Sequence, residues 1–154
     1  MIIFLFGKKI FCEYEKLSVW YLLCAACGLT VYVIAKFTVQ SLSFPGGYSA
    51  VSFSPSVWFF IDVLILTPLA EELLFRSCLG DVLQDLPSSF FIFLSTILFA
   101  VVHLSQGIGG IFFAIMCGLV LSFTYKMKKK ILFSVIIHSF INLGGCLDGI
   151  FLKI

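Results

Sequence analysis

The residues able to do chemistry are few, and they sit among apolar neighbours. Glu71 and Glu72 stand side by side with Arg76 four positions beyond the second; the chain's two histidines, His103 and His138, lie in apolar stretches, and Asn142 follows His138 by four. Residues four apart share a helix face, so Glu72 and Arg76 have the acid-before-base order that favours an ion pair. Glu71, turned by about 100° from its neighbour, is left free for other work. The two carboxylates therefore read as one working acid and one anchor. His138 and Asn142 also share a face, and each can donate a hydrogen bond toward a bundle interior.

Such a set suits hydrolysis of a peptide bond by water. A carboxylate near a histidine can orient and deprotonate water, while paired donors stabilise the oxyanion of the tetrahedral intermediate. No serine or cysteine nucleophile is needed. The bland alternatives are a charged helix end at the membrane surface for Glu71 and Glu72, and helix-to-helix hydrogen bonding for each histidine. Taken singly those alternatives are the commoner ones; two histidines, an asparagine and EExxxR in one apolar chain weigh toward a site.

The elements that must hold these groups are membrane helices. Of the 154 residues 61% are hydrophobic and 12% charged, which points to lipid as the solvent. An ionisable side chain at mid-bilayer costs at least ~2.5 kcal/mol, so those retained there usually mark function. The formal charge of +2 comes from short basic clusters between apolar runs, which is no nucleic-acid footprint. Five apolar segments approach spanning length: Leu17 to Lys36, Val57 to Arg76, Ser89 to Leu104, Gly109 to Tyr125 and Ile131 to Leu147. Gly and Pro punctuate the connections at Pro45-Gly46-Gly47, Pro55, Pro87 and Gly107 to Gly110. The expected fold is all-α, a polytopic transmembrane bundle of about five spans forming a single membrane domain over residues 1–154. Lys8, Lys9 and Lys16 before span one, and Lys126 and Lys128 to Lys130 between spans four and five, place the N-terminus and that connection in the cytoplasm.

Other features read as packing. Cys12, Cys24, Cys27, Cys78, Cys117 and Cys146 are scattered through apolar sequence, which argues against a disulfide framework. Cys24 and Cys27 lie within an apolar helix, not the βαβ setting of a redox motif. Gly110, Ala114 and Gly118 form a small-residue series for close helix approach. Asp62 in the outer half of span two is expected to snorkel or meet another helix. Pro68, one turn before Glu71, kinks the span or frees a carbonyl near the site. Trp20 and Trp58 lie near span ends as interface anchors. The opening MIIFLFGKK lacks the order and cleavage site of a secretory signal, so the first span is expected to be retained.

EExxxR at Glu71 to Arg76, FxxxH at Phe99 to His103 and HxxxN at His138 to Asn142 resemble, in order, the three motifs of the CAAX-protease and bacteriocin-processing family of intramembrane glutamic endopeptidases. The resemblance covers roughly Val57 to Leu147, which would be the catalytic core. It implies that Glu71 and His103 activate water, that Glu72 with Arg76 supports the site, and that His138 with Asn142 forms the oxyanion pocket. It further implies a metal-independent reaction without a cofactor, on a peptide or protein substrate associated with membrane lipid, in CAAX processing, bacteriocin maturation or self-immunity. A zinc protease drawing ligands from the same His and Glu residues, and a non-catalytic immunity or scaffold protein using the same pocket, are the alternatives.

Overall fold

The computed structural model describes residues 19–44 and 56–151. The three N-terminal lysines, Cys12 and the Pro45, Gly46, Gly47 and Pro55 punctuation lie outside the described residues. Helix α1 runs Val19–Ser41, α2 residues 57–82, α3 Ser88–Val101, α4 Gly107–Lys128 and α5 Ile131–Phe151. No strand occurs among the described residues. The protein is an all-α polytopic membrane bundle: Val19–Ser41, Leu104–Lys128 and Ile131–Ile150 are each long and apolar enough to cross a bilayer, and α3 is a shorter apolar helix. Leu22, Leu23 and Ile34 on α1, Phe93 on α3 and Phe123 on α4 point outward, away from the core, as lipid-facing side chains do.

Side-chain contacts fix the directions of the helices. Tyr21 stacks on Phe133 and Lys36 pairs with Asp148, so α1 and α5 run parallel. Phe91 meets Tyr125 and Ser122 meets Ser95, so α3 and α4 are antiparallel. The closest helix approach rests on glycines outside the small-residue series. A Cβ at Gly28 would lie 2.5 Å from the Ile137 carbonyl oxygen, and one at Gly144 would lie 2.5 Å from the Tyr32 ring. Within the series, Gly118 packs on Thr96 and Phe99 of α3, whereas Gly110 faces Gln106 at the start of its own helix.

Several boundaries differ from those the hydropathy implies, and three of the differences shape the bundle. Helix α1 continues past Lys36 to Ser41, and the hydroxyls of Thr38 and Ser41 are satisfied within it by the Ile34 and Thr38 carbonyls. Helix α2 continues past Arg76 to Val82 and is not uniform: α-helical turns alternate with two π-helical stretches, Asp62–Leu66 and Leu73–Cys78. Helix α3 stops at Val101, so His103 lies outside the span expected to contain it. Its 14 residues make about 21 Å, short of the ~30 Å hydrocarbon core. The chain then passes through a 3₁₀ turn, Leu104–Gln106, and enters α4 at Gly107, whose φ of 77° and ψ of −179° only glycine adopts readily. Irregular backbone at membrane depth is tolerated where it lines a cavity, and His103 does line one.

Candidate active site

Helix α2 carries Glu71, Glu72 and Arg76 into the centre of the bundle. Glu72 and Arg76 are wholly buried, and Arg76 Nη1 lies 3.1 Å from Glu72 Oε1, close enough for an ion pair though poorly aligned for a hydrogen bond. The guanidinium also sits 4.6 Å from the Phe99 ring centroid and donates from Nη2 to the Gly118 carbonyl at 3.4 Å. Burial of this kind is tolerated because the two charges offset each other; either one alone would be strongly unfavourable.

His138 reaches across from α5 and touches both glutamates. Its Nδ1–H donates to Glu72 Oε1 at 3.0 Å, and its Nε2 stands 3.6 Å from Glu71 Oε2. The second distance is too long for a direct hydrogen bond, and Glu71 Oε2 is buried without a hydrogen-bond partner. His138 thus lies within reach of both glutamates. Glu72 accordingly has partners beyond the arginine that helical spacing supplies.

His103 and Asn142 line the same cavity as Glu71 and His138. His103 Nδ1 is 2.8 Å from the Phe99 carbonyl. A carbonyl only accepts, so Nδ1 carries the proton and Nε2 keeps its lone pair in the neutral ring. The bond also caps the last turn of α3. Asn142 Nδ2 donates to the Val63 carbonyl at 2.9 Å, leaving its second N–H for another acceptor. Phe99 is the wall between these groups: its ring centroid is 4.7 Å from that of His103 and 5.6 Å from that of His138.

The cavity has a volume of about 770 Å³. It runs from Glu71, His138 and Cys117 toward the ends of α1 and α5 and the start of α2, where Lys36, Gln40, Asp62 and Asp148 line it. That end is opposite the α4–α5 turn with Lys128, Lys129 and Lys130, where Lys128 covers the Trp20 ring at 3.8 Å. Asp62, expected to snorkel, is exposed, lines the cavity and accepts from Thr67 Oγ1 at 3.4 Å. Among the described residues no group of three or more His, Cys, Asp or Glu side chains is arranged to hold a metal ion.

Two polar groups escaped the sequence reading. Tyr32 and Lys36 both donate to Asp148 Oδ2 at the far end of the cavity; an ionisable residue near each of two helix ends was the available signal. Ser122 donates to Ser95 at 3.0 Å, and Ser95 to the Phe75 carbonyl at 2.8 Å. These buried hydroxyls tie α4 through α3 to the second π stretch of α2, and their only signal was polarity within otherwise apolar spans.

Fold and site define a polytopic helical membrane protein whose two glutamates meet His138 inside the bundle, at the wall of a cavity that His103 also lines. Residues 53–144, more than half of the chain, match the family described as Type II CAAX prenyl endopeptidase Rce1-like. The chain belongs to that family, and so to the CAAX-type intramembrane proteases. No curated protein and no solved structure matches it.

Proposed function

We propose that the chain is a glutamic endopeptidase that hydrolyses a peptide bond of a membrane-associated or lipidated substrate, with its catalytic core in residues 57–147. The observation that carries this reading is the 3.6 Å separation of Glu71 Oε2 from His138 Nε2 at the cavity wall. Glu71 takes a proton from water as the water oxygen attacks the scissile carbonyl carbon. His103, through Nε2, orients that water from the α3 side. With Nδ1–H held by Glu72, His138 donates from Nε2 to the oxyanion in its imidazolium form, and the free N–H of Asn142 is the second donor. Collapse of the intermediate breaks the C–N bond, and the proton on Glu71 passes to the leaving amine. Glu72 and Arg76 hold His138 and do not touch substrate.

The reaction is proposed to be metal-independent. The test is cleavage of a farnesylated CAAX peptide, and of a short secreted-type peptide, by the purified protein in liposomes with a chelator present. Loss of cleavage with chelator and its return with zinc would favour the metalloprotease alternative. Full cleavage by Glu71→Gln would sink the glutamic mechanism, and a biological effect retained by a non-cleaving Glu71→Gln protein would favour an immunity or scaffold role.

The proposed orientation puts the N-terminus and the Lys126 to Lys130 connection in the cytoplasm of a cell-membrane protein. The cavity then extends toward the opposite, external side, which favours maturation of a secreted peptide, as in bacteriocin processing, over a cytoplasmic substrate. Labelling of a cysteine placed at Lys129 only from outside would reverse this assignment.

A further inference from the structure

The link between Asn142 and helix α2 depends on a hydrogen-bond donor that α2 lacks. In a regular α-helix the Val63 carbonyl would accept from the N–H of Thr67. In the π-helical stretch Asp62–Leu66 the Thr67 N–H goes instead to the Asp62 carbonyl. The π register would pass Val63 on to the residue five positions ahead. That residue is Pro68, which is buried and has no N–H. Neither backbone partner is therefore available to the Val63 carbonyl, and Asn142 Nδ2 supplies the donor at 2.9 Å.

We propose that Pro68 is a positioning residue for Asn142: by withholding its amide proton it reserves the Val63 carbonyl for the Asn142 side chain. One Asn142 N–H is thereby fixed on α2 and the other is aimed by the planarity of the amide. The widened turn that removes the backbone donor also accommodates the proline ring, which would clash with the preceding turn of a regular helix. Asn142 and Val63 both line the cavity that contains Glu71, so the device acts at the site although Pro68 itself contacts no substrate. The catalytic consequence rests on the endopeptidase reading; the linkage between Pro68 and Asn142 does not.

Two double-mutant cycles test it. Pro68→Ala restores an N–H able to serve Val63, so Asn142→Ala should lower the unfolding temperature of the detergent-purified protein in the wild-type background and lower it much less in the Pro68→Ala background. An equal loss in both backgrounds would overturn the linkage. In cleavage of whichever of the two peptides, farnesylated CAAX or secreted-type, the wild type hydrolyses, Pro68→Ala should reduce kcat on the order of tenfold to 100-fold through misplacement of a donor, with KM within about twofold of wild type. In the Asn142→Ala background the same change should leave kcat within about twofold, because the group it positions is gone. Unchanged kcat in Pro68→Ala alongside a large loss in Asn142→Ala, or independent multiplication of the two losses, would overturn the positioning role. A wild-type protein that cleaves no peptide would remove the endopeptidase reading alone, and the thermal cycle would still decide the linkage.

Discussion

Glu71 and Glu72 are neighbours in the chain and occupy opposite surroundings. The Glu72 side chain is 0% exposed, held between Arg76 and His138, whereas that of Glu71 is 26% exposed at the wall of the cavity. One step of helical rotation separates a carboxylate whose charge must stay paired from one that is partly open to the cavity. The buried side of the site is a support of ion pair, imidazole and aromatic rings; the open side faces the cavity, where the proposed proton transfer and peptide binding would take place. A carboxylate cannot do both tasks, since a group that takes up and releases protons cannot also be the permanent counter-charge of a buried guanidinium.

Neutralising the open carboxylate should have the largest effect. Glu71→Gln is expected to reduce peptide cleavage by about 10²–10⁴-fold while leaving the thermal unfolding of the detergent-purified protein nearly unchanged. Neutralising the buried one should damage the fold: Glu72→Gln leaves Arg76 without its counter-charge, a loss of about 3–5 kcal/mol, read as a lower denaturation midpoint and less inserted protein. Were Glu72→Gln to fold normally and be inactive, the division into base and support would be wrong. Asn142→Ala, on the open side, should lose about 10²–10³-fold in rate as an oxyanion donor disappears. The smallest effect sharpens the contrast between buried and half-exposed charge. Lys36→Met breaks a pair whose side chains are 23% and 32% exposed, so stability should fall by less than about 1 kcal/mol, measured in the same unfolding assay.

The sequence disclosed the site unevenly. Glu72 with Arg76 was legible because four-residue spacing aligns two side chains on any helix, and the structure sets that pair 3.1 Å apart. The approach of His138 to both glutamates was not legible, because it depends on how α5 lies across α2 and no periodicity reports that. His103 was legible as a polar residue in an apolar stretch, but its place in a turn was hidden: hydropathy reads continuously through Val101 to Leu104, while the helix ends at Val101. The π stretches of α2 were also invisible, since a single extra residue per turn leaves composition unchanged.

What the sequence determined by itself was the solvent and the candidates. Apolar runs must form helices in lipid because no water is present to satisfy their backbone groups, and polar residues kept in those runs at a cost must serve some purpose. Only the tertiary structure decided which of those residues meet. Glycines at 28 and 144 let α1 and α5 approach closely, the short α3 leaves His103 on the cavity wall, and a carbonyl without a backbone donor draws Asn142 onto α2. Each is a contact between segments distant in the chain, set by the close packing of side chains whose neighbours local spacing cannot specify.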